Sequence, residues 1–405
     1  MGALLQLGLK LNNFSIANLL KKNKEHRGFL PIGDGETMSL NAQTNGKYYQ
    51  SYGLQYATNW FGGKRPIQFT LGANFSKSTD VNTSYYSRSY MQNYYNYMYG
   101  VGNYNYNNYE NYLDPDKYIQ IWGFYAGWGK RLRWPDDYFQ LSVQLSYQRY
   151  ILKNWRYFLI MSNGTANNLS LNISLNRSST DNQLYPRTGS EFSASLSITP
   201  PWSKFDKKDY KNLANDRFSA TYQQEQQEKY RWVEYHKWKF KARTFTALSS
   251  GSKCFVLMTR VEFGLLGSYN RYKKSPFETF YMGGDGMSGY SSSYAQETIG
   301  LRGYDNGQLT QRGEGYAYDR MTLELRYPFL LGNTTVYGLG FVEAGNAWTE
   351  TSKFNPFDMK RSAGLGVRIY LPMVGMMGID WAYGFDKVFG KKGGSQFHFV
   401  LGQEF

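Results

Sequence analysis

Apolar and polar side chains alternate along most of this chain, in stretches separated by polar connections. Phe139, Leu141, Val143, Leu145 and Tyr147 alternate with Gln140, Ser142, Gln144, Ser146 and Gln148. Leu169, Leu171, Ile173 and Leu175 alternate with Ser170, Asn172, Ser174 and Asn176, and the same beat returns over 191–198, 321–327 and 364–371. A period of two is the mark of a β-strand with one apolar and one polar face. No apolar run approaches the roughly 20 residues of a membrane helix. The alternation predicts fifteen strands, near 3–12, 36–45, 49–58, 67–78, 117–130, 137–150, 165–177, 189–200, 232–246, 252–268, 316–328, 334–345, 361–371, 376–386 and 394–405.

Half-buried strands fit a water-soluble sandwich or a membrane barrel. Strand length favours the barrel, since about 9–11 residues cross a bilayer. So do the connections, short at 59–66, 131–136 and 372–375 and long at 79–116, 200–230 and 269–315, as in barrels with tight turns on one side and long loops on the other. Composition agrees: 18% of residues are aromatic, 38 of them Tyr, beside abundant Asn, Ser and Gly. The reading is therefore an all-β chain, a transmembrane antiparallel β-barrel. Single-chain barrels have an even strand number, so the odd count means either one further strand in this chain or a first strand upstream of Met1, and the absence of a visible signal peptide favours the second. No leader precedes the first strand, and the N-terminus is read as incomplete.

The net charge of +15 is spread over strands and loops rather than gathered in one tract, so nucleic acid is not expected as a partner. Cys254 is the single cysteine and forms no internal disulfide. His26, His236 and His398 are far apart, which argues against zinc. No cofactor is expected. Three segments fall outside the ladder: Asn13 to Gly35, with a short helix near Ile16–Lys22; Tyr85 to Tyr112, with eleven tyrosines and read as a self-packed external loop; and the charged, Gln-rich loop from Pro200 to Lys229.

The residues with the most chemistry lie late in the chain. Parity puts Glu324 on the polar face with Thr322 and Arg326, and Glu343 on an inward face between Val342 and Ala344, although Phe341 shares its side. Two carboxylates inside a barrel repel unless a cation sits between them. A guanidinium, with five donors in a fixed fork, suits that task. Arg302 sits on the preceding long connection, Gly283 to Tyr304, where Gly300 and Gly303 permit a tight backbone. Parity alone leaves a surface arginine with solvated glutamates equally open. Lys237, Lys239, Lys241 and Arg243 share one face of a strand, read as a lumen wall balanced by Glu262 and Asp380. Gly283-Gly284-Asp285-Gly286 lacks the Gly-Lys-Ser/Thr of a phosphate loop. Gly390, Gly393 and Gly394 are read as loosening the start of the last strand. His236 and His398 lack a nucleophile partner, so no enzyme is expected.

Leu301-Arg302-Gly303-Tyr304 resembles the inserted-loop motif of the BamA, TamA and FhaC superfamily, the outer-membrane assembly and two-partner secretion barrels. Thr322 to Phe329, Phe341 to Trp348, Ser362 to Arg368 and Phe397 to Phe405 resemble the strands that follow it, and Tyr185-Pro186-Arg187-Thr188-Gly189-Ser190 a periplasmic turn. Leu11 to Ser15 and Gln43 to Tyr52 are similar to the Bacteroidota branch of the BamA family. The resemblance spans nearly the whole chain. It implies a sixteen-stranded barrel over 1–405, with periplasmic POTRA domains that this chain does not carry, and a long external loop folded into the lumen. It implies a loop lock of Arg302, Gly303 and Tyr304 with Glu324 and Glu343; Glu343 replaces a more usual aspartate. It further implies a weak seam between first and last strands, the closing strand carrying Phe397, Phe399, Leu401, Gly402 and Phe405. The expected partners are nascent outer-membrane β-barrel clients, accessory lipoproteins, surface-exposed subunits of an assembly complex and outer-membrane lipid. The expected function is folding and inserting those clients in the Gram-negative outer membrane. The alternative is a two-partner secretion pore or another passive channel.

Overall fold

Strands form where the alternation runs, because pleating sends successive side chains to opposite faces. A computed structural model describes residues 5–20, 32–46, 48–61, 67–81, 113–155, 162–206, 208–216, 218–251, 253–286, 297–310, 315–372 and 375–401. The elements are β1 (Leu5–Phe14), α1 (Ile16–Leu20), β2 (Glu36–Thr44), β3 (Tyr49–Thr58), β4 (Ile67–Val81), β5 (Leu113–Arg131), β6 (Phe139–Lys153), β7 (Gly164–Ser178), β8 (Gly189–Ile198), α2 (Trp202–Phe205), α3 (Tyr222–Tyr230), β9 (His236–Ala247) and β10 (Val256–Gly267). They continue with β11 (Phe280–Met282), β12 (Glu297–Ile299), β13 (Ala317–Leu330), β14 (Thr335–Trp348), β15 (Lys360–Leu371), β16 (Gly375–Val388) and β17 (Lys391–Leu401).

Fifteen of these strands form one sheet in the order β1 to β10 and then β13 to β17, so neighbours in sequence are neighbours in space. Each of the fifteen corresponds to one predicted from alternation. The short pair β11 and β12 forms a separate parallel sheet inside the long connection. The segment expected as a charged loop between β8 and β9 contains α2 and α3. The Tyr-rich segment 82–112 lies outside the described residues.

The chain divides into two compact units. The first comprises Met1–Gly129, Gln144–Ser170 and Asp206–Val233. In it Ser15 starts α1 by accepting a bond from the backbone N–H of Asn18 at 3.0 Å, the usual N-terminal use of a hydroxyl. Phe75 packs against Trp122 with ring centroids 4.5 Å apart. Leu7, Leu9, Leu40, Leu54 and Leu71 are exposed on the neighbouring strands.

The second unit comprises Lys130–Val143, Leu171–Phe205 and Glu234–Phe405. One face of its strands is apolar and open: Leu323, Val342, Leu365 and Phe397 are 51%, 52%, 64% and 68% exposed. The other face buries Arg260, Glu324, Glu343 and Asp380. That is the reverse of a soluble sandwich. Burying a large apolar side chain is worth about 1.5–3 kcal/mol. A dozen left in water would forfeit on the order of 20–30 kcal/mol, more than the roughly 5–15 kcal/mol net stability of a domain. The apolar face must therefore meet an apolar phase.

Register places the charged residues. Thr322 is opposite Glu343, and Glu324 is opposite Phe341. The two glutamates are thus diagonal neighbours on adjacent strands, one same-face position apart.

Candidate functional site

The connection from β10 to β13 lies against the polar face of β13 to β17. β11 and β12 run parallel, and Gly284 and Leu301 exchange backbone bonds at 3.1 and 3.0 Å just beyond them. This clip delivers Arg302 to the sheet. Leu301 and Tyr304 are fully buried, and Arg302 is 6% exposed.

Arg302 ends among three carboxylates on three strands. Its Nη2 donates to Glu324 Oε1 at 2.8 Å and to Glu343 Oε1 at 2.6 Å, and its Nη1 donates to Asp380 Oδ2 at 2.9 Å. Its backbone N–H donates to Glu343 Oε2 at 3.0 Å. The guanidinium carbon lies 3.4 Å from the ring centroid of Phe341, so Phe341, on the same face as Glu343, is the plate on which the cation rests. Burial works against the charge on Arg302, but Glu343 and Glu324 outweigh it and hold the proton more tightly than usual.

Each carboxylate also has an arginine of its own on the sheet. Arg320 Nη2 donates to Glu343 at 3.0 Å. Arg326 donates through Nε and Nη2 to Glu324 Oε2 at 2.9 and 2.7 Å. Arg368 donates to both oxygens of Asp380 at 2.5 and 2.8 Å. The sheet therefore presents three ion pairs, and Arg302 joins all three as a fourth cation.

The next two residues fix the tip. Gly303 has φ +88°, and a Cβ there would lie 2.8 Å from the backbone N of Gly384. A Cβ on Gly384 or on Gly393 would lie 2.3 or 2.5 Å from the carbonyl oxygen of Gly303. Three glycines thus allow backbone to touch backbone across the loop, β16 and β17. Gly303 N–H donates to His398 Nε2 at 2.8 Å, which requires a neutral imidazole with its proton on Nδ1. Tyr304 Oη donates to the carbonyl of Arg361 at 2.7 Å. Burial pushes this phenol up to about 12, so it remains a donor.

The structure thus places Arg302, Gly303, Tyr304, Glu324 and Glu343 together. Asp380, Arg320, Arg326, Arg368 and His398 belong to the same cluster. Asp380 was expected to balance the basic stripe on β9; it serves Arg302 and Arg368 instead. Of that stripe, Lys237 and Lys239 each reach Glu297 at 3.0 Å, Lys241 reaches Glu262 at 3.4 Å, and Arg243 pairs with Glu191. Gly393 receives the loop tip, and Gly390 and Gly394 adopt positive φ in open space. Phe397 and Phe399 point to the apolar face of β17 and are exposed. Gly402, Phe405 and the side chain of Leu401 lie outside the described residues.

The sheet thus turns apolar side chains outward, buries its charges and receives a loop arginine. The profile of the Omp85 superfamily domain matches residues 32–405. The chain belongs to the Omp85 superfamily. As such it is a β-barrel protein of the outer membrane, in keeping with the apolar face above. The fold is similar to that of BamA from Haemophilus ducreyi lacking POTRA domains 1-3, with TM-score 0.59 and 15% identity over 97% of this chain and 66% of that one. It is also similar to CdiB from Escherichia coli, with TM-score 0.52 and 10% identity over 98% of this chain and 58% of that one. This Omp85 chain therefore spans less than two thirds of either of those chains. No curated protein matches its sequence.

Proposed function

We propose that this chain is the barrel of a BamA-type assembly factor of the Bacteroidota kind, which folds and inserts β-barrel clients into the Gram-negative outer membrane. The observation that carries the reading is the buried docking of Arg302 on three carboxylates of β13, β14 and β16. In this reading Arg302, Gly303 and Tyr304 with Glu324 and Glu343 form a lock that keeps the loop seated. No cofactor or covalent chemistry takes part. Work is done by templating: a strand edge with unmade backbone bonds recruits the strand of another chain. β17 ends the strand order, and the seam of the proposal runs along it. Phe397, Phe399, Leu401, Gly402 and Phe405 form its closing side. Clients, accessory lipoproteins, surface-exposed subunits and outer-membrane lipid are the partners it calls for.

Depletion of the protein in its own cell tests the reading, with folded outer-membrane proteins quantified by heat-modifiable gel mobility. Loss across unrelated barrels is expected. Normal levels of other barrels with one secreted protein stranded would replace the reading with a two-partner secretion pore.

A further inference from the structure

The turn between β7 and β8 folds back onto the polar face of the second unit, where Tyr185 is 3% exposed. Its Oη donates to the carbonyl of Cys254 at 3.1 Å and shares that proton with the carbonyl of Arg326 at 3.3 Å. Its ring meets Tyr337 edge to face, with centroids 5.3 Å apart and planes at 61°. The turn is braced from within. Asp181 Oδ1 accepts from the N–H groups of Arg187 and Thr188 at 2.8 and 3.2 Å, and its Oδ2 accepts from Arg187 Nε at 3.1 Å. Asn182 Oδ1 accepts from the N–H groups of Leu184 and Tyr185 at 2.8 and 3.1 Å. Such bonds from Asp and Asn to nearby backbone hold a turn in one shape.

Arg326 joins this turn to the loop site. Its guanidinium carbon lies 5.8 Å from the Tyr337 ring and 5.5 Å from the Phe245 ring, so aromatic faces set its position. From there it gives two donors to Glu324 Oε2, at 2.9 and 2.7 Å, and leaves Oε1 to Arg302 at 2.8 Å. A carboxylate held firmly by one oxygen presents the other in a narrow range of directions. Tyr185, Phe245, Tyr337 and Phe341 also share one buried apolar cluster, and Phe341 is the plate beneath Arg302. Tyr185 thus packs into the group that supports two of the contacts of Arg302, although its own hydrogen bonds go to β13 and to the residues before β10.

We infer that Tyr185 is a positioning residue for the loop lock: from the β7–β8 turn it sets the Tyr337 ring and, through it, the Arg326 guanidinium that aims Glu324 at Arg302. The inference rests on the lock reading of Arg302. It makes the turn a handle on the loop, because a displacement of 181–188 reaches 297–310 by way of β13 and β14. The coupling needs no contact between turn and loop. It needs only that Arg326 has one position when the turn is seated and a wider range when it is not.

The test is hydrogen exchange over 297–310 in the full chain in a bilayer. Tyr185→Ala should raise exchange there about three- to tenfold, the weight of one aromatic pair. Tyr185→Phe keeps the ring on Tyr337 and should stay within about twofold of the parent. Tyr185→Ala also opens a gap in a buried cluster, so a second variant leaves that cluster intact. Asp181→Ala with Asn182→Ala removes the braces of the turn and should raise loop exchange in the same direction. Placed on top of Arg302→Ala, neither change should raise loop exchange further, since the path they act through ends at Arg302. A Tyr185 that merely stabilised the fold would add its full effect there. Full additivity, a loop unmoved by the Asp181 and Asn182 changes, or a Tyr185→Phe protein that exchanges as fast as Tyr185→Ala overturns the inference. Arg302→Ala alone separates it from the lock. A loop that opens in Arg302→Ala but not in the turn variants removes the role of Tyr185 and spares the lock, whereas a loop still protected in Arg302→Ala removes both.

Discussion

Replacing Arg302 with Ala should release the loop and spare the sheet. Arg302 makes three charge-assisted bonds to carboxylates, each worth roughly 1.5–3 kcal/mol. Against a gross gain of about 4.5–9 kcal/mol stands the desolvation of a buried cation, several kcal/mol, and the ordering of a long side chain, up to about 2 kcal/mol. The net is at most about 4 kcal/mol, which lowers the ratio of docked to undocked loop by up to roughly 700-fold at 1.4 kcal/mol per decade. The sheet should hold because Glu324, Glu343 and Asp380 keep Arg326, Arg320 and Arg368, so no buried carboxylate is left alone. Glu343→Gln is the opposite case. It strips a partner from both Arg302 and Arg320 and should cost about 3–5 kcal/mol in the sheet itself, as breaking a buried pair does. The assay is hydrogen exchange over 297–310 in a bilayer, beside the temperature of the heat-modifiable gel shift. Arg302→Ala should raise exchange in the loop and leave the shift temperature nearly unchanged, with Glu343→Gln lowering it. Combining the two should cost clearly less than their sum, since they act on one network. An Arg302→Ala protein whose loop stays protected, or whose barrel melts as early as the Glu343→Gln protein, would refute the reasoning.

Gly303→Ala forces a side chain into left-handed backbone, about 1–2 kcal/mol, and onto Gly384; Gly384→Ala and Gly393→Ala meet the carbonyl of Gly303 from the other side. All three should undock the tip in the same exchange measurement, and a silent Gly384→Ala would contradict the backbone contact. His398→Phe leaves the buried N–H of Gly303 without its acceptor, at about 1–3 kcal/mol, whereas His398→Gln keeps an acceptor; loop exchange should separate the two variants. Leu323→Lys on the apolar face should reduce refolding yield into vesicles by the equivalent of about 2–4 kcal/mol. Thr322→Lys, one position along on the polar face, tests the geometry differently: it adds a cation beside Glu343, which accepts from Thr322 at 3.2 Å, and should disturb the loop rather than membrane insertion.

The strands were legible because alternation reports a two-faced environment directly, and all fifteen sit where it runs. Parity likewise put Glu324 and Glu343 on the polar face. Phe341 blurred that parity for a physical reason: an aromatic ring on a charged face reads as a mismatch until the guanidinium above it is seen. Arg368 and Asp380 also carried polar parity, but register pairs them with Gly378 and Gly366 rather than with each other, so their contact is diagonal and emerges only when the strands are assembled. His398, between Phe397 and Phe399, has polar parity by the same rule. Its role as an acceptor depends on where a loop 95 positions away in sequence comes to rest. β11 and β12 are three residues each, too short for any period to register, and they are held by backbone bonds that carry no side-chain signature.

The contact among Gly303, Gly384 and Gly393 makes the loop a gauge of the last hairpin. The carbonyl of Gly303 rests between β16 and β17 with no side chain to absorb a displacement, and β17 also holds the loop through His398. A slip or a peeling of β17 away from β16 therefore takes away the seat of the tip. Linkage runs both ways: whatever draws the loop off the sheet loosens the final strand by the same free energy with which the strand's departure loosens the loop.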